Sequence, residues 1–122
     1  MKVKIDTKEK FHVLTFQESI LYANMTEELN HLLLSFLEME KKSIVLKMSE
    51  INKIDELVAN SLVNIQQKFY ANNASLVICE ITPVVENSLR KLNLLEKMNV
   101  TPTESEAWDI VQLEEIEREL ME

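Results

Sequence analysis

Side chains able to do covalent or metal chemistry are scarce in this sequence, which holds one cysteine and two histidines. Cys79 lies inside the apolar run LVIC, where a thiol is expected to be buried, protonated and inert. His12 falls in a stretch that alternates as a strand does, and His31 in one with a helical period. Neither has a Cys or His partner at the spacing a metal site needs. No Gly-x-Ser-x-Gly, Cys-x-x-Cys or His-Glu-x-x-His motif occurs. The chain has no glycine at all, which excludes the phosphate-cradling loops of the P-loop and dinucleotide type, because both need close backbone approach and positive φ. No catalytic residue, cofactor or metal ligand is assigned on these grounds.

The informative stretch is MSEINKIDELVANSLV at 48–63, directly after the apolar run IVL. It leaves a strand, passes several polar residues, places Asp55 and starts an amphipathic helix, at the edge where α/β proteins put working sites. Asn52, Lys53, Asp55, Glu56, Leu57 and Asn60 are the candidate partner-binding residues, since polar side chains around one exposed leucine make a small interface. Asp55 has an ordinary role beside that one, as the helix N-cap, and Glu56 as a first-turn carboxylate complementing the helix dipole.

The elements that must position these residues follow from hydrophobic period. Val3, Ile5, Phe11 and Val13 alternate as two strands of a hairpin turning at Lys8 to Lys10. A first helix begins at Asn24 with Met25, Leu29, Leu32, Leu33, Phe36 and Leu37 on one face; Asn24 and Glu27 form a capping box, and the end lies near Lys41 and Lys42. Leu34 and Met39 fall off that face. Ile44 to Met48 read as a buried parallel strand, Glu56 to the Asn72-Asn73 pair as a second helix, and Ser75 to Cys79 as another strand. Thr82-Pro83 caps a third helix running to about Leu92, Lys97 to Val100 read as a short strand, and Thr103 with Glu106 opens an acidic terminal helix at about 103–121. That last helix carries Ala107, Ile110, Val111, Leu113, Ile116 and Leu120, and its Trp108, Ile116 and Leu120 face either solvent or a partner. With glycine absent, left-handed turn positions are expected at Asn52, Asn72, Asn73, Asn93 and Asn99. The expected fold class is α/β: one domain over 1–122, a mixed sheet of four to five strands with right-handed crossovers and four helices.

Composition narrows the function further. At 122 residues and 46% apolar, the chain suits one packed globular domain. A lone cysteine in an apolar run points to a reducing, cytoplasmic setting. The MKVKIDTKEK opening lacks the apolar stretch of a signal peptide. The formal charge of −8 repels phosphate backbones and anionic lipid, so neither nucleic acid nor a membrane is the expected partner.

The ordered set of residues in IVLKMSEINKIDELVANSLV and LVICEITPVVENSLRKLNLLEKMNVTPTESEAW resembles a STAS domain, the fold of bacterial anti-sigma factor antagonists and of the cytoplasmic tails of sulfate transporters. The similarity runs from residue 3 to about 111 and sets Asp55 on the Asp of the family's Asp-Ser-Ser-Gly helix start. It implies a non-enzymatic regulatory module that docks a protein partner, an anti-sigma factor or kinase-like regulator, through residues 49–60. The family switch phosphorylates a serine of Asp-Ser-Ser-Gly, but those two positions here are Glu56 and Leu57, so the phosphoacceptor is absent there, and Val58 replaces the glycine. Lys47 stands where an acidic residue commonly ends the preceding strand, and only Glu18 survives of a Gly-Glu-apolar-Asp pattern. Glu56 reads either as a fixed mimic of the phosphorylated form or as a plain first-turn carboxylate. Ser49 and Ser61 are the nearby hydroxyls. The alternative reading is a small-molecule or nucleotide-sensing domain, or a small enzyme, with a pocket at the sheet's carboxyl edge.

Overall fold

The computed structural model describes residues 1–121. Its strands are β1 (Val3–Thr7), β2 (His12–Phe16), β3 (Ile20–Leu21), β4 (Ile44–Lys47), β5 (Lys53–Ile54), β6 (Leu76–Cys79) and β7 (Val100–Thr101). Its helices are α1 (Thr26–Ser35), α2 (Glu56–Ala71), α3 (Pro83–Lys91) and α4 (Glu104–Met121). A five-stranded sheet runs in the order β1-β2-β4-β6-β7, and β3 pairs with β5 in a separate two-stranded ribbon. Only β1 is antiparallel, facing β2 across the hairpin; every other pairing is parallel. The architecture is the mixed α/β arrangement the pattern predicts, with the small ribbon as the unforeseen part.

Alternation along the strands decides which helices cover which face. Leu14, Phe16, Ile44, Leu46, Leu76 and Ile78 meet α1, α2 and α3 in the larger core, together with Leu29, Leu33, Val58, Leu62, Ile65, Phe69, Val85 and Leu89. Val13, Val45, Val77 and Cys79 project to the other face, where α4 alone covers them with Ala107 and Val111. Each fully buried Leu, Ile or Phe contributes roughly 1.5–3 kcal/mol, so the larger core supplies most of the driving force.

Helix ends depart from the predicted ones for local reasons. A 3₁₀ turn at Ala23–Met25 precedes α1, leaving Met25 in the cap position with no side-chain cap hydrogen bond, so the Asn24–Glu27 box does not form. Thr26 instead donates its hydroxyl to the Ala23 carbonyl at 2.7 Å. At its other end α1 tightens into a second 3₁₀ turn, Phe36–Glu38, and stops short of Lys41. Lys97 belongs to a 3₁₀ turn, Leu95–Lys97, so β7 starts at Val100. Among the expected left-handed asparagines, Asn73 and Asn93 take φ of 58°, whereas Asn52, Asn72 and Asn99 do not. Glu80 does, at φ 57°, an unfavourable conformation for a side chain with a β-carbon.

His12 is buried among these elements. One ring nitrogen meets the Thr7 hydroxyl at 2.9 Å and the other donates to the Lys41 carbonyl at 3.0 Å, while the ring packs on Phe36. It is a satisfied core histidine tying β1, β2 and the α1–β4 loop. His31 is exposed on α1.

Candidate functional site

The carboxyl edge of the sheet is built by three segments converging on the β4–α2 loop. After β4, the Met48 N–H donates to the Cys79 carbonyl at 3.1 Å and the Ile51 N–H to the Met48 carbonyl at 3.2 Å, folding the chain into a turn. Fully buried Ile51 anchors that turn in the core, and the Thr82 hydroxyl donates to the Ile51 carbonyl at 2.9 Å. The same Thr82 oxygen accepts from the Val85 N–H, so one residue both caps α3 and holds the neighbouring loop.

The ribbon locks the other side of the loop. The Asn52 and Lys53 N–H groups converge on the Ser19 carbonyl at 2.6 and 3.3 Å, and the Asp55 N–H donates to the Leu21 carbonyl at 3.0 Å. Asp55 occupies the N-cap of α2 with extended φ and ψ, yet its carboxylate makes no cap hydrogen bond to α2. Instead it accepts from the Ala23 N–H at 2.7 Å, reaching across to the turn before α1. The predicted cap geometry is thus present in the backbone, while the side chain serves a contact 32 residues away in sequence.

On this base Asn52, Lys53, Glu56, Leu57 and Asn60 are exposed, and Asp55 alone of the six candidates is half-buried. Leu57 is 57% exposed at the first turn of α2, beside Glu56. The Asn60 amide donates back to the Glu56 carbonyl at 3.0 Å, so its outer edge stays open. Two further exposed apolar residues enter from the flanking segments: Tyr22, next to the Ala23 that binds Asp55, and Val84, in the first turn of α3. Sequence spacing alone gave no hint of either, because each is delivered by a loop distant in the chain. Ser49 is exposed, whereas Ser61 is buried and donates its hydroxyl to the Asn30 side-chain oxygen, joining α2 to α1.

Beneath this edge, on the α4 side of the sheet, Lys47 lies 3.3 Å from Glu104 and 3.9 Å from Glu80. The Glu104 hydrogen bond, with the charge of Glu80 behind it, holds the Lys47 ammonium above its ordinary value. Burial pushes the adjacent Cys79 thiol up to about 12, with Glu80 and Glu104 adding to the effect, so the thiol is protonated at neutral pH, as its apolar run predicts. Among the described residues no group of three His, Cys, Asp or Glu side chains is arranged to hold a metal ion. A cleft of about 480 Å³ opens nearby between Ile81, Pro83, Glu86 and Met98, but its one carboxylate, Glu86, is paired with Arg90 at 3.4 Å.

The sequence matches the STAS domain family model over residues 2–107. The chain belongs to the STAS domain family. An anti-sigma factor antagonist from Mycobacterium paratuberculosis superposes on this STAS domain with a TM-score of 0.77 at 11% identity, covering 91% of this chain and 93% of that one. A serine-to-glutamate variant of RsbS from Moorella thermoacetica gives 0.75 at 20% identity, over 92% and 96%. The anti-sigma factor antagonist SpoIIAA of Bacillus, in its unphosphorylated form, gives 0.71 at 14% identity, over 91% and 96%. At these identities the likeness establishes the fold. No curated protein sequence matches the chain. Among the described residues no helix is long and apolar enough to cross a membrane.

Proposed function

We propose that this STAS domain is a non-enzymatic regulatory module that docks a protein partner through Asn52, Lys53, Glu56, Leu57 and Asn60. Asp55 sets the shape of the surface from below. The observation that carries the reading is the hydrogen-bonded platform at the sheet's carboxyl edge, which leaves Leu57, Tyr22 and Val84 exposed at 57%, 47% and 60% among polar neighbours. Scattered single apolar residues are ordinary, but three brought onto one cross-linked edge, with mixed charge around them, match the anatomy of a small protein interface. The likeness in fold to anti-sigma factor antagonists makes an anti-sigma factor or a kinase-like regulator the partner class.

The family's phosphorylation switch does not operate at residues 56 and 57, since Glu56 and Leu57 carry no hydroxyl. Glu56 keeps a permanent charge at the N-terminus of α2, where it is electrostatically favoured by about 0.3–1 kcal/mol. Binding is therefore set by partner abundance or by a signal read elsewhere.

Affinity capture from the source cell with the wild type and with the double variant Glu56→Lys, Leu57→Asp tests the surface. Both positions are exposed, so the variant is expected to keep its circular dichroism spectrum and lose the captured partner. Equal capture by both proteins overturns the reading. The small-molecule alternative would rest on the cleft beside α3, which lacks the convergent polar groups that fix a ligand. Nucleotides at 100 times a dissociation constant would raise stability by about 2.7 kcal/mol, and no such thermal shift is expected.

A further inference from the structure

The second half of α4 is turned inside out. Helix period places Glu114, Glu115 and Arg118 on the same side as Ala107 and Val111, against the sheet, and Leu113, Ile116 and Leu120 on the opposite side. The inward groups are held there by a polar network. The Ser75 hydroxyl donates to Glu114 at 2.6 Å, the Arg118 guanidinium donates to the Ser75 oxygen at 3.0 Å and to Glu115 at 3.2 Å, and the Asn99 amide donates to Glu114 at 3.2 Å. With those contacts made, α4 cannot rotate its apolar side chains inward without stranding buried Ser75, just before β6, and half-buried Asn99, just before β7. Leu113, Ile116 and Leu120 therefore stay 56%, 51% and 82% exposed in one stripe at i, i+3 and i+7 spacing. This stripe lies beyond residue 107, where the family match ends, and at the opposite end of α4 from Glu104 and the docking edge.

Charge decides what covers it. Glu117 and Glu119 flank the stripe on its two sides and Asp109 stands at its N-terminal end, while Arg118, the one basic side chain of α4, is turned inward. A second copy laid on the same stripe would set Glu117 and Glu119 against their counterparts, and an anionic bilayer would meet the same repulsion. Across Glu117 from the stripe, a cleft of about 360 Å³ opens between α2 and the end of α4, lined by Tyr70, Asn73, Glu114, Glu117, Arg118 and Met121, so Glu117 borders both the apolar stripe and a charged recess.

We infer that the outer face of α4, centred on Leu113, Ile116 and Leu120, is a second docking site, and that its occupant is a basic amphipathic helix of a protein partner, with leucines on the stripe and lysines or arginines facing Glu117 and Glu119. The site is independent of the docking edge around Leu57.

Fluorescence anisotropy with labelled synthetic helices tests this on the full chain. The probes are a leucine-striped peptide flanked by lysine, the same stripe flanked by glutamate, and a scrambled lysine peptide. The lysine-flanked peptide is expected to bind in the micromolar range, to weaken as salt rises, and to lose about tenfold or more for the variant Leu113→Ser, Ile116→Ser, Leu120→Ser. Those three side chains are exposed, so circular dichroism should show an unchanged fold. Equal binding of the scrambled peptide, or undiminished binding by the serine variant, reduces the effect to bulk charge attraction and overturns the inference. So does absence of binding, as does a wild-type dimer that the serine variant dissociates in sedimentation, or stripe-dependent flotation with phosphatidylcholine vesicles.

Discussion

The Asp55 carboxylate accepts a hydrogen bond from the Ala23 backbone N–H at 2.7 Å, joining the start of α2 to the turn before α1. One residue thereby ends the small β3–β5 ribbon, begins a helix and fixes the spacing of the two segments that carry Leu57 and Tyr22. The platform's rigidity depends on this cross-link more than on the local capping role that an N-cap aspartate ordinarily has.

Removing that acceptor should therefore do more than fray a helix. Asp55→Ala is expected to lower stability by about 1–2 kcal/mol in urea unfolding, with Asp55→Asn, which retains a carbonyl oxygen, recovering part of the loss. Hydrogen exchange at the Ala23 amide should accelerate in Asp55→Ala beyond what the global change explains. An exchange rate at Ala23 that merely follows global stability would show that the contact is not formed in solution.

Cys79 should be silent to a thiol reagent at pH 8 in the folded protein and react once unfolded in urea, because it is fully buried and its thiol is pushed up to about 12. An ordinary thiol ionises at 9.0, so above that pH the unfolded chain gives up a proton the folded one keeps. Stability from this group is complete below 9.0 and falls as pH rises toward 12. Cys79→Ala should flatten the decline of the urea midpoint above pH 9, whatever its effect at pH 7.

Glu80 takes φ of 57° where β6 turns toward α3. Glu80→Gly removes the clash of the β-carbon but frees the unfolded chain, and is expected to change stability by no more than about 1 kcal/mol. Glu80→Val, β-branched and unable to accept this conformation, should cost about 1–3 kcal/mol in the same measurement. Equal effects of Gly and Val would mean that the left-handed backbone is not populated.

Ser61 and Ser49 should separate sharply when made acidic. Ser61 is buried and bound to Asn30, so Ser61→Asp inserts an unmatched charge between α1 and α2 and is expected to cost about 2–4 kcal/mol. Ser49 is exposed, and Ser49→Asp should stay within about 0.5 kcal/mol by thermal melting.

Much of this molecule is legible in its residue order, for a physical reason: burying one face of a helix or strand imposes a period that neighbouring residues alone display. Val58, Leu62, Ile65 and Phe69 announce α2 in that way, and all are buried. Thr82-Pro83 and the Asn72-Asn73 pair mark helix ends through local backbone chemistry, and the missing glycine removes whole classes of phosphate-binding loop. What depends on distant partners was decided only by the tertiary structure. The two-residue strands β3 and β5 are too short to carry a period, and pairing alone defines them. Asp55 found Ala23 rather than its own helix, and Glu80 took the left-handed turn expected of an asparagine. In α4 the helical period left Ile116 and Leu120 facing either solvent or a partner; they point outward with Leu113 because Ser75 and Asn99 of other segments hold Glu114 and Arg118 on the inner side. Period says that a helix has two faces; which one is turned inward depends on the polar groups waiting on the sheet.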